Sequence, residues 1–75
     1  MNGYRVRSAA ELGQIMRRVR KAQGFTQQEL ADGSGVGITF ISNLERGKGS
    51  SEFDKVVRVA QMLGIDLFAS VRGER

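Results

Sequence analysis

Residues 26–49 read TQQELADGSGVGITFISNLERGKG, and their pattern decides the fold. Thr26 and Glu29 have the S/T-x-x-E spacing of a capping box, which satisfies free amides in a helix's first turn. Phe25 precedes that cap and Leu30 lies four residues into the helix, the positions of a hydrophobic staple. Leu30 and Ala31 point inward, and Ala31 is small enough to let another helix approach. This helix is predicted to run to about Asp32. Gly33-Ser34-Gly35 then supplies a turn, where a residue free to take positive φ is needed. Val36 plugs the core after it. A further helix runs from about Gly37 to Glu45, with Ile41 and Leu44 inward. Arg46-Gly47-Lys48-Gly49-Ser50 is a loop.

The flanks extend the same logic. Ser8 and Glu11 form an earlier capping box, and Leu12, Ile15, Met16 and Val19 follow at helical spacing. Arg17, Arg18, Arg20 and Lys21 lie mostly outside that stripe, and Gly24 is the stop. Residues 1–7 carry no helical signal; Tyr4 and Val6 alternate with arginines, which fits a short strand or an extended arm. On the other side, Ser51 and Asp54 suggest a third cap. Phe53, Val56, Val57, Ala60 and Leu63 make the apolar face of a last helix, ended by Gly64. Its β-branched valines are poor helix formers, but burial overrides that weak preference.

After Gly64 the period changes to two. Leu67, Ala69 and Val71 fall on one side, Phe68, Ser70 and Arg72 on the other, which is a strand pattern. A lone strand needs a partner for its amides and its apolar face. The simplest partner is the same strand of a second copy. The alternative is that residues 65–68 finish the core and the remainder frays.

Seventy-five residues make one domain, spanning 1–75. A chain of this size buries only about 60% of its unfolded surface, so a monomer is marginal. With no Cys and no His, disulfides and Cys/His zinc sites are excluded. Efficient helix packing or oligomerisation remains, and a homodimer is favoured. Twelve Lys and Arg against eight Asp and Glu give +4, which fits an anionic partner or simple solubility. No apolar run approaches the ~20 residues that span a bilayer. Nothing resembles a signal peptide, so the cytoplasm is the default compartment. No membrane association, cofactor or small-molecule ligand is expected. An enzyme is disfavoured, because catalysis without His or Cys needs carboxylates converging in a pocket, and the acids are scattered singly.

A helix that reads the major groove must present its N-terminal half to base edges while a preceding helix holds its angle. The segment 27–45 meets that demand with Gly35 in the turn, and the amides at the start of its first helix suit a phosphate oxygen. The ordered set Thr-Gln, Glu-Leu-Ala, Gly-Val, Ile-Ser and Glu-Arg-Gly-Lys resembles the helix-turn-helix of the phage-repressor (Cro/CI, or XRE) family. FDKVVRVAQMLGI is similar to that family's closing helix, so the resemblance covers about residues 11–66. It implies an all-α, compact, four- to five-helix lambda-repressor-like domain that binds double-stranded DNA.

By position, the resemblance assigns Gln27 to the DNA backbone, with Gln28 its weaker neighbour. It assigns Ile38, Thr39 and Asn43 to base reading, with Ser42 alongside. Asn pairs with adenine in bidentate fashion, Thr bonds several edges, and Ile can only touch a thymine methyl. Gly47, Lys48 and Ser50 correspond to phosphate contacts. Each has a plainer alternative: Gln27, Thr39 and Asn43 as solvated surface, Ile38 as core. Gly37 departs from the Ser or Thr often found at the helix cap, and Phe40 is bulky for a partly exposed site. Glu45 reads as an internal partner for Arg18 or Arg20, since a carboxylate near phosphate is repelled.

The opening RSAAELGQIMRRVRK and the ending LGIDLFASVRGER are similar to HipB-type antitoxins. That resemblance implies a strand over about 66–72, paired across a homodimer through Leu67, Phe68, Ala69 and Val71. It also implies repression of the chain's own operon and a kinase toxin as partner. A stand-alone phage-type or operon repressor, or a protein-interaction module, are the alternatives.

Overall fold

The computed structural model describes residues 3–48 and 52–73. Four helices follow one another: α1 Ala9–Ala22, α2 Gln27–Ser34, α3 Ile38–Glu45 and α4 Phe53–Leu63. They form an all-helical helix-turn-helix fold, with no strand among the described residues.

Local chemistry accounts for the helix ends. The Ser8 hydroxyl accepts the Glu11 amide at 3.1 Å, while the Glu11 carboxylate takes the Arg7 amide rather than that of Ser8. The first box is therefore closed on one side only. At α2 the box is complete: Thr26 Oγ1 accepts from the Glu29 amide at 3.0 Å, and the Glu29 carboxylate accepts from the Thr26 amide at 2.8 Å. This helix runs two residues past the expected Asp32, because Gly33 and Ser34 keep helical geometry and only Gly35 turns left-handed, at φ 71°. Gly37 is the extended residue before α3, so that helix starts one residue later than expected. For α4 the cap position is Glu52, with no side-chain bond to the helix. Ser51, the expected cap, lies outside the described residues. Asp54 instead sits in the first turn, where a carboxylate suits the helix dipole.

The core is Met16, Leu30, Ala31, Ile41, Leu44, Val56, Val59, Ala60 and Leu63. Leu12, Val19, Phe25, Val36, Phe40 and Ile65 pack around it. Two expectations for α4 need correction. Phe53 is 67% exposed and Val57 only half-buried, while Val59, not anticipated, is fully buried. The apolar arc of α4 is wider than one interface. Val56, Val59, Ala60 and Leu63 face the bundle, whereas Phe53 and Val57 border a surface groove shared with Ile65, Leu67 and Phe68.

Residues 65–71 carry neither helix nor turn, and among the described residues this tail has no strand to pair with. Leu67, Phe68 and Val71 are exposed, Phe68 by 74%. The expected strand thus does not form within one copy. At the other end, residues 3–7 are irregular, and the Arg18 guanidinium sits 5.0 Å from the Tyr4 ring centroid.

One contact fixes the depth at which α1 crosses α3. A Cβ on Gly13 would stand 2.2 Å from the Leu44 carbonyl oxygen and 3.0 Å from that of Glu45. Gly47, at φ 69°, repeats this one step on: its Cβ would stand 2.5 Å from Ala10 Cα. Both glycines let α1 seat directly on the backbone of α3 and its exit.

Candidate nucleic-acid interface

The corner between α2 and α3 is closed by backbone alone. Gly35 donates to the Asp32 carbonyl at 3.4 Å and Val36 to Ala31 at 3.0 Å, which satisfies the last carbonyls of α2. Ile41 and Leu44 then anchor α3 in the core. By helical geometry the opposite side of α3 faces outward. Ile38 is 42% exposed, Thr39 is exposed, and Ser42 and Asn43 are half-buried. None of the four belongs to the core, so the core alternative for Ile38 falls away. Phe40 packs against the core from the side, with Lys55 Nζ 5.6 Å from its ring centroid, and fills the seam between α3 and α4.

The expected contact residues are not all free. Asn43 Oδ1 accepts from Arg46 at 3.1 Å, so its amide hydrogens remain available while its carbonyl is engaged. Gln28 donates to Asp32 at 2.9 Å along its own helix. Gln27 donates to Glu45 Oε1 at 3.0 Å, which ties the start of α2 to the end of α3. Lys48 is exposed, with its amide bonded to the Asn43 carbonyl at 2.9 Å. Gly37 has open space around the position of its missing side chain. Ser50 lies outside the described residues.

Beneath this surface is a polar cluster that the sequence hinted at only in part. Arg20, not Arg18, is the partner of Glu45. Its Nε meets Glu45 Oε2 at 2.6 Å and its Nη2 meets Oε1 at 3.1 Å, a bidentate pair. Arg20 Nη1 donates to the Phe25 carbonyl at 2.8 Å. The Glu45 side chain is only 2% exposed. Burial pushes its carboxyl up, but the hydrogen bonds from Arg20 and Gln27 and the charges of Arg20 and Arg17 outweigh that and hold it below the ordinary value. One carboxylate therefore joins α1, the start of α2 and the end of α3. The signal for Arg20 was present: Gly13, Met16 and Arg20 follow at i, i+3 and i+7, all on the buried side of α1. No sequence signal named the Gln27 bond, because it depends on where α3 ends in space.

The helix-turn-helix family model matches residues 16–69. An uncharacterised HTH-type transcriptional regulator, y4mF of Sinorhizobium fredii, is 42% identical over 71 residues, covering 95% of this chain and 93% of its own length. A chain of the HipA-HipB-O2-O3 complex superposes with TM-score 0.83 at 26% identity, covering 93% of this chain and 99% of that one. The restriction-modification controller protein C.AhdI of Aeromonas hydrophila gives TM-score 0.71 at 29% identity, covering 77% and 88%. These relatives are regulators rather than enzymes, and the fold, the sequence pattern and the comparisons agree. The chain belongs to the XRE-type helix-turn-helix family of DNA-binding transcriptional regulators, and it is HipB-like.

Proposed function

We propose that this protein is a repressor that binds a pseudo-palindromic operator as a homodimer and reads it with α3. The supporting observation is that Ile38, Thr39 and Asn43 lie outside the core on a helix whose other side is locked into it. In a two-fold dimer the two copies of α3 would stand about 34 Å apart, facing successive major grooves. Occupancy of a promoter would block polymerase. Phosphate neutralisation would supply much of the affinity. The reading residues are Ile38, Thr39 and Asn43, with Ser42 beside them. Gln27, Gln28, Gly37, Lys48 and Ser50 serve the backbone or its close approach.

Thr39→Ala and Asn43→Ala are each expected to weaken operator binding by roughly 1–3 kcal/mol while changing binding to a scrambled duplex little. Fluorescence anisotropy on both duplexes measures this. Equal losses on every sequence would place these side chains outside base reading. A wild-type protein that binds no duplex even at low salt would favour the protein-interaction alternative.

The tail supports the dimer. Leu67, Phe68, Ala69 and Val71 are exposed in a single copy and alternate at the period of a strand. Deleting residues 66–75 is expected to lower the sedimentation mass toward the monomer and to weaken operator affinity with it. An unchanged mass would remove the tail from the interface.

The finer reading is an autoregulating antitoxin of a kinase toxin. It is supported by the HipB-like fold and by the neighbour in which HipB is complexed with HipA. The controller protein C.AhdI favours the second reading, a stand-alone operon regulator. A kinase-like reading frame beside this gene, with a gel shift on the shared upstream region, decides between them.

A further inference from the structure

The two ends of the described chain meet beside α1. Arg18 is exposed, on the side of α1 turned away from the core. The Tyr4 ring lies beneath its guanidinium, whose carbon stands 5.0 Å from the ring centroid, within the range of a cation–π contact. Residues 3–7 precede α1 yet reach a side chain well along it, so they double back over the helix rather than lead away from it. One residue further out, Gly3 meets the tail: a Cβ there would stand 3.8 Å from Phe68 Cζ, an ordinary contact distance. The root of the tail is also tied to α1. The Gln23 side-chain amide, at the end of α1, donates to the Leu63 carbonyl at 2.7 Å, where α4 ends.

These contacts bear on how an exposed tail keeps one course. Leu67, Phe68 and Val71 are all exposed, and ordering an extended segment costs backbone entropy. Among the described residues no backbone hydrogen bond joins the arm to the tail, so side chains set their relative position. The arm has the period of the tail: Tyr4 and Val6 alternate with Arg5 and Arg7. Its inner end is fixed as well, because the Arg7 amide donates to the Glu11 carboxylate. The arm is thus held at both ends, on α1 at Glu11 and at Arg18, and its outermost described residue bears on Phe68.

We propose that residues 3–7 are a strap that holds the tail in the extended course from which it pairs with a second copy of this chain. Tyr4 anchors the strap on Arg18, and Gly3 bears on Phe68. A segment that spends more of its time in the binding-competent conformation binds more tightly in proportion. The strap therefore strengthens assembly without touching the partner. This rests on the dimer reading above and extends it to the N-terminal arm, which that reading leaves without a role.

The test combines amide order parameters from nuclear magnetic relaxation with sedimentation equilibrium, on Tyr4→Ala and Arg18→Gln. Tyr4→Phe and Arg18→Lys keep the ring and the charge, and Lys21→Gln removes a neighbouring exposed charge of α1. In the wild type the amides of residues 4–6 are expected near the ~0.85 of rigid backbone, falling below about 0.6 in Tyr4→Ala and Arg18→Gln. An exposed cation–π contact is worth a factor of about two to five, so the dimer dissociation constant should rise by about that factor for each protomer. Tyr4→Phe, Arg18→Lys and Lys21→Gln match the wild type in both readouts, and thermal melts of all five variants match it too. Arm amides already below about 0.6 in the wild type overturn the proposal, and so does a loosened arm with an unchanged dimer constant. If the wild type sediments as a monomer at every concentration, the dimer reading itself fails, a result distinct from failure of the strap. The amides of residues 67–70 in Tyr4→Ala then decide the strap: lowered order upholds its hold on the tail, and unchanged order overturns it.

Discussion

Glu45→Ala is expected to remove about 3–5 kcal/mol of folding stability, since breaking a buried ion pair by deleting one partner strands the other charge. Arg20 is that stranded charge, buried on the inner side of α1 with only the Phe25 carbonyl left to it. Single domains are stable by roughly 5–15 kcal/mol in total, and one of this length sits toward the low end. The variant should therefore be largely unfolded near 37 °C. Replacing both partners, Arg20→Met with Glu45→Leu, should recover most of the loss, because apolar side chains of similar volume remove the uncompensated charge. Urea titrations of the three proteins measure the difference. If Glu45→Ala costs under about 1 kcal/mol, the pair contributes little to the fold. Acid should act through the same carboxylate. The folded chain holds Glu45 below the ordinary 4.5, so the unfolded chain binds its proton first as pH falls. The pair's contribution is fully present above the unfolded value and is lost as pH falls through the lowered folded value.

Gly13→Ala should be a severely damaging methyl. Overpacking usually costs 1–3 kcal/mol. Here the nearest atoms are backbone oxygens, of Leu44 and Glu45, which cannot swing aside as a side chain can. We expect about 3 kcal/mol, a fall in melting temperature of roughly 12–24 °C for a domain this size. Gly33→Ala is the matched control. Its Cβ would meet only the flexible end of Met62, at 2.6 Å, and its φ is not left-handed. Better helix propensity there offsets the displacement, worth about 0.5–1 kcal/mol. Calorimetric melts separate the two, and a Gly13→Ala variant melting like wild type would refute the direct seating of α1 on α3.

The legible part of this fold is the part written in local chemistry. The capping box at Thr26–Glu29, the stop at Gly64, and the inward set Met16, Leu30, Ile41 and Leu44 depend on neighbours within a turn or two, and the structure has them all. Illegible were features set by pairs of distant elements. Gly13 carries no turn signal, because its role appears only when α1 meets α3. Phe53 fits the apolar spacing of α4, yet it overhangs the bundle and borders the tail groove. Gln27 was assigned by resemblance to the backbone, and its bond to Glu45 arises from the distance between the start of α2 and the end of α3. The tail illustrates the third case. Its period of two is visible in sequence, but a strand is a property of two chains or two segments, and the described residues of one copy hold no second segment to pair with.

Gly37 has a consequence of its own. Its φ of −79° suits any residue, and open space surrounds the spot where a side chain would begin. Neither backbone geometry nor crowding inside the molecule asks for glycine. Serine or threonine there would tie down an otherwise loose amide and add a few tenths of a kcal/mol over glycine. Stability is thus forgone at the tip of an eight-residue helix that has little to spare. A flat, rigid surface lying against that tip leaves such a mark, since the bare backbone shortens the distance of closest approach by the width of a side chain.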